Sequence, residues 1–192
     1  MALTPSTMLA LGSKAPDFRL PDVDGTMVGL ADLATAPALL VMFICNHCPY
    51  VKHVRHELAK LGREYAARGV AVVAINANDA VAFPEDSPEA MAREQVSIGY
   101  TFPYLVDATQ QVAQAYQAAC TPDFFLFDKG RTLVYRGQLD GARPGNAIPV
   151  TGHDLRAALD AVLGGQGVAP DQRPSMGCNI KWKPGNAPSY AG

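Results

Sequence analysis

Cysteine, net charge and long apolar runs are all in short supply. Four cysteines in 192 residues are too few for a scaffold built from disulfides. Asp and Glu number 18 against 16 Lys and Arg, a formal net charge of −2, which argues against a broad basic surface for nucleic acid. The longest apolar stretch, Ala36 to Cys45, is ten residues and contains Pro37, whereas a membrane-spanning helix needs about twenty. The segment before Lys14 carries no basic residue and is interrupted by Pro5, unlike a secretory leader. No repeat or low-complexity tract is visible. The expectation is a cytoplasmic protein with neither a membrane nor a nucleic acid as partner. What the chain does have is 48% hydrophobic residues, enough to bury one core of ordinary size.

Apolar periodicity divides the chain into strands and helices. Around Asp24-Gly25, the segment over 12–30 reads as a β-hairpin, because Asp-Gly supplies turn chemistry. Leu39 to Ile44 and Val70 to Ile75 are unbroken apolar runs, the pattern of strands buried on both faces. Between them, Val51, Val54, Leu58, Leu61 and Tyr65 recur at steps of three and four, so the spacing predicts an amphipathic helix that ends at Gly69. Ser87-Pro88 opens a second helix, with a cap residue followed by Pro at the first position. Phe102 to Val106 reads as a strand, Ala108 to Ala118 as a helix, and 124–136 as a hairpin around Asp128-Lys129-Gly130. Asp154 to Leu163 is a last helix, stopped by Gly164-Gly165. Such alternation implies an α/β fold with a mixed sheet and helices on both faces. Residues 164–192 hold six Gly and four Pro and show no period; an irregular tail lying on a domain of residues 1–163 is expected.

Cys45-Asn46-His47-Cys48 falls where a buried strand gives way to a helix. A helix N-terminus offers unpaired N–H groups and positive potential that favour a thiolate, and only the thiolate attacks a disulfide sulfur. The expectation is a nucleophilic Cys45 with a lowered pKa, aided by His47, and a Cys48 close enough to resolve the mixed disulfide. A metal reading draws on His47, His53 and His56, with Cys120 and Cys178 as converging ligands. Against it, no second ligand pair with zinc spacing is present, and His53 and His56 sit beside Lys52 and Lys60 on what reads as a solvated face.

Several segments together resemble the peroxiredoxin-like branch of the redoxin superfamily, the alkyl hydroperoxide reductase and thiol-specific antioxidant proteins. They are Ala15-Pro16-Asp17-Phe18, Phe43 to Val51 around the cysteine pair, Phe102-Pro103-Tyr104-Leu105-Val106-Asp107, Cys120 to Asp128, and Gly177 to Asn186. The resemblance implies a thioredoxin-like three-layer α/β fold. It also implies that Thr121-Pro122 is a cis-proline loop against the cysteine pair, whose Thr121 backbone would pair with an extended substrate. Peroxiredoxins carry Pro-x-x-x-Thr-x-x-Cys, which lays Val41 on the Pro, Cys45 on the Thr and Cys48 on the peroxidatic Cys. Their activating Arg falls on Pro122. The acid that thioredoxins bury six residues before the first Cys falls on Leu39.

Dithiol exchange is therefore favoured over peroxide reduction, which remains the alternative; a metal-binding or binding module on the same fold is the second. The expected site is Cys45, Cys48 and His47 for catalysis and Thr121 and Pro122 for substrate, with no metal or organic cofactor. Cys120 and Cys178 are candidates for auxiliary redox residues: the tail could fold back to bring Cys178 to Cys120 or to the active pair, as a second disulfide or a relay, or both could simply be packed thiols. The implied partners are a disulfide-containing protein or small molecule and a separate reductase or low-molecular-weight thiol.

Overall fold

The computed structural model describes residues 3–191. Its centre is strand β4 (Leu39–Phe43), every residue of which is fully buried. Continuous burial fits a strand covered on both faces and explains the unbroken apolar run. β4 pairs in parallel with β5 (Ala71–Asn76), which pairs in parallel with β6 (Tyr104–Val106). On its other side β4 is antiparallel to β8 (Asp123–Phe127), and β8 to β9 (Leu133–Gly137). The five-stranded mixed sheet has the order β6-β5-β4-β8-β9.

Alternate residues of β4 feed two cores. Leu40 and Met42 meet Val54, Leu58 and Leu61 of α1 (Pro49–Ala66), Met91 of α2 (Pro88–Ile98), and Leu155 and Leu159 of α4 (His153–Leu163). Leu39, Val41 and Phe43 face Val112 and Ala113 of α3 (Gln111–Ala115), together with Tyr116, Phe125 and Phe127. The hairpin of β2 (Arg19–Pro21) and β3 (Met27–Gly29) adds Phe18 and Leu20 to this second core. Helices thus cover both faces, giving the α/β layering anticipated from sequence. Ser87 caps α2 by accepting from the Ala90 amide at 3.3 Å, and Gly99 ends the helix at φ 78°.

Two segments depart from the sequence reading. α3 spans Gln111–Ala115 rather than Ala108 to Ala118, because Gln110 and Gln117 adopt φ of 65° and 52° and break the helical backbone at both ends. The tail is not irregular throughout. Its residues Met176–Asn179 form β10, which is antiparallel to β1 (Leu3–Pro5) on one side and to β7 (Cys120–Thr121) on the other. Gly177 makes this approach feasible, since a Cβ there would lie 2.0 Å from the Thr121 carbonyl oxygen. Among the described residues, no helix is long and apolar enough to cross a membrane.

Candidate active site

Chain reversal between β4 and α1 places the cysteine pair. β4 ends at Phe43, Ile44 donates its amide to Ile75 at 3.1 Å, and Cys48 caps α1 with extended backbone (φ −68°, ψ 123°) ahead of Pro49. The residue at the helix N-terminus is thus Cys48, not Cys45 as expected, because Pro49 occupies the first helical position. Cys45 lies three residues earlier, only 1% exposed.

Thr121 touches both sulfurs. Its hydroxyl oxygen is 3.3 Å from Cys45 Sγ, and its carbonyl oxygen is 3.2 Å from Cys48 Sγ. The Thr121–Pro122 peptide bond is cis. Cys178 joins them from β10, its sulfur 2.7 Å from Cys48 Sγ. Cys120 stays outside this group, its thiol directed to the Pro122 carbonyl at 3.7 Å. A Cys120–Cys178 pairing is therefore not what the structure brings together: Cys178 is in register with Thr121, and Asn179 stands opposite Cys120.

The charge distribution reverses the expected roles. Burial, above all, pushes the Cys45 thiol well up, and the hydrogen bond with Cys48 and the nearby Asp86 carboxylate push in the same direction. Cys48 is drawn far below the ordinary thiol range, first by its hydrogen bond with Cys178, then by that with Cys45, with the Val51 amide adding to both. Cys178 is correspondingly raised and holds its proton, chiefly because of Cys48. A negative sulfur at Cys48 suits its place at the end of the α1 dipole.

His47 is anchored by an acid that the sequence reading did not identify. Asp86, 2% exposed, lies 2.5 Å from His47 Nδ1 and accepts from the Asn46 amide (2.7 Å), Asn76 Nδ2 (3.3 Å) and Asn78 Nδ2 (2.8 Å). Phe83 stacks on the imidazole at 5.1 Å and 10°, and Tyr104 donates its hydroxyl to Asn46 Oδ1 at 3.0 Å. A signal for Asp86 existed: β4 and β5 are parallel, so the loops after them leave the same sheet edge, and acids in the second loop face the cysteine turn.

Cys45, His47 and Asp86 place one ligand-type atom each within 4.8 Å of one another, but the Asp86 oxygens are already engaged by four donors. His53 and His56 are exposed on α1 and do not join them. A second buried acid, Asp123, starts β8 opposite Phe43, accepting from Ser6 Oγ at 2.7 Å and from the Phe124 amide at 3.1 Å.

The expected docking edge is already filled. Thr121 pairs with Cys178, so the strand edge that the sequence reading reserved for an extended substrate carries the protein's own β10. The cause is the close fit of Gly177 against the Thr121 carbonyl.

Comparisons with known proteins agree with this geometry. The crystal structure of an uncharacterized conserved protein from Geobacillus kaustophilus is similar at 57% identity and a TM-score of 0.94, covering 96% of this chain and 98% of that one. That of a hypothetical protein from Sinorhizobium meliloti 1021 is similar at 58% identity and 0.94, covering 95% and 100%. The thiol-disulfide oxidoreductase ResA of Geobacillus kaustophilus (strain HTA426) is 33% identical over 128 residues, 66% of this chain and 68% of the relative. The model of the AhpC/TSA family matches residues 11–136, and the chain belongs to that family.

Proposed function

We propose that the chain is a thiol–disulfide oxidoreductase that works through Cys45 and Cys48. The observation that carries this reading is the contact of one residue, Thr121 of the cis loop, with both sulfurs. The relatives named thiol-disulfide oxidoreductase support it, and they imply a disulfide-containing substrate and a separate reductant.

In this pair the negative charge is drawn to Cys48 and the proton is held on Cys45. The Cys48 sulfur attacks a substrate disulfide, and the first substrate sulfur leaves, taking the proton of Cys45. Cys45 then attacks Cys48. The Cys45–Cys48 disulfide forms, the mixed disulfide breaks, and the second substrate sulfur leaves as a thiolate. One disulfide is reduced and one dithiol oxidised. His47, held by Asp86 and Phe83, fixes the turn between the two sulfurs. Because both sulfurs are buried, this chemistry requires local opening of the residues over them.

Peroxide reduction is disfavoured by what occupies the position of the activating Arg. Pro122 has no side-chain donor to stabilise charge developing in O–O cleavage. The test is insulin reduction against hydrogen peroxide consumption for wild type, Cys45→Ser and Cys48→Ser. Insulin reduction abolished by either substitution is expected. Peroxide turnover that survives loss of Cys45 but not of Cys48 overturns the reading.

A further inference from the structure

Cys48 has a sulfur on each side. Thr121 touches both it and Cys45, and on its other side it lies 2.7 Å from Cys178. Cys178 is held there by backbone, not by chance packing of a loose tail. It pairs with Thr121 across β7 and with Leu3 across β1, and the Ile180 amide donates to Ala119 at 3.0 Å. The strand that carries Cys178 lies along the edge of the loop that touches the working pair, with its cysteine in register with Thr121. In that position β10 is an internal counterpart of a substrate strand.

We propose that Cys178 is a third redox residue, which exchanges the Cys45–Cys48 disulfide for a Cys48–Cys178 disulfide and returns Cys45 to the thiol form. The Cys178 sulfur attacks Cys48 Sγ, the Cys48–Cys178 bond forms, and the Cys45–Cys48 bond breaks. The proton lost by Cys178 ends on Cys45. The step is an isomerisation, so it consumes no oxidant or reductant beyond the substrate disulfide that oxidised the pair. It rests on the oxidoreductase reading for that first oxidation.

Electrostatics favour the attack once the pair is oxidised. The largest influence holding the proton on Cys178 is Cys48, and it disappears when Cys48 enters a disulfide. The Lys181 ammonium, which draws Cys178 down, remains. The product ties β10 to the start of α1 and so fastens the strand over the Thr121 edge, while Cys45 is set free. Cys120 takes no part, because its thiol faces the Pro122 carbonyl.

The experiment oxidises wild type and Cys45→Ser with diamide, quenches in acid, alkylates free thiols and maps disulfides by mass spectrometry after non-reducing digestion. Insulin reduction by the same wild-type preparation is measured in parallel. A Cys48–Cys178 peptide in both proteins, unchanged by Cys120→Ser and lost in Cys178→Ser, is the expected result. The wild-type map requires no substitution, so a variant that fails to fold does not decide the matter. Insulin reduction by a wild type whose only disulfide is Cys45–Cys48, with free Cys48 and Cys178 in oxidised Cys45→Ser, overturns the role of Cys178 and leaves the oxidoreductase reading intact. Failure of wild type to reduce insulin overturns that reading instead.

Discussion

Single residues set the chemistry, and two buried acids show how. Burial raises Asp123 from its ordinary 3.8 to about 7. The folded protein then holds a proton that the unfolded chain has lost, so stability is full below pH 3.8 and falls as pH rises through about 7. Between those values the loss approaches about 1.4 kcal/mol per pH unit. Denaturant titrations at several pH values will show that slope in wild type and a flatter one in Asp123→Asn. Asp86 acts on sulfur: its charge helps to keep the proton on Cys45, so Asp86→Asn will lower the Cys45 pKa, read from the pH dependence of Cys45 alkylation. Thiolate absorbance will place the low-pH step at Cys48, retained in Cys45→Ser and absent in Cys48→Ser. The cysteine pair was legible because its spacing is a pattern. Asp123 was not, because a lone acid has no period and its burial is decided by strands distant in sequence; Asp86 had only the indirect signal of lying in the loop that leaves the same sheet edge as the cysteine turn.

At the level of elements, the strands and helices with strong apolar rhythm were readable, and the elements held by a neighbour were not. β4 and α1 declare themselves, one by continuous burial and the other by its stripe of Val54, Leu58 and Leu61. Leu58→Ala, at a fully buried position, will cost about 2–5 kcal/mol in denaturant unfolding. Ser87→Ala, which removes the cap of α2, will cost about 0.5–2 kcal/mol by the same measurement. β10 gives no such signal: Met176-Gly177-Cys178-Asn179 has neither alternation nor strong strand formers. It becomes a strand because β1 and β7 supply hydrogen-bonding edges and Gly177 permits close approach. Gly177→Val places side-chain atoms on the Thr121 carbonyl and will displace β10. Faster alkylation of Cys48 and Cys178 in the folded variant than in wild type is the expected readout.

For the molecule as a whole, alternation of strands and helices was enough to give the layers of the sheet, but not the closure over the site. All four cysteines are buried and none is in a disulfide, a combination that composition could not reveal. The closure depends on very distant pairing, with Leu3 beside Cys178 and Thr4 beside Gly177. That arrangement has a consequence during synthesis. The ribosome delivers Cys48 130 residues before Cys178, an interval of about 6–26 s at roughly 5–20 residues per second. Throughout it, the growing chain presents its cysteine pair without the strand that later covers it. The nascent polypeptide thus passes through a window of chemical vulnerability that the finished fold closes.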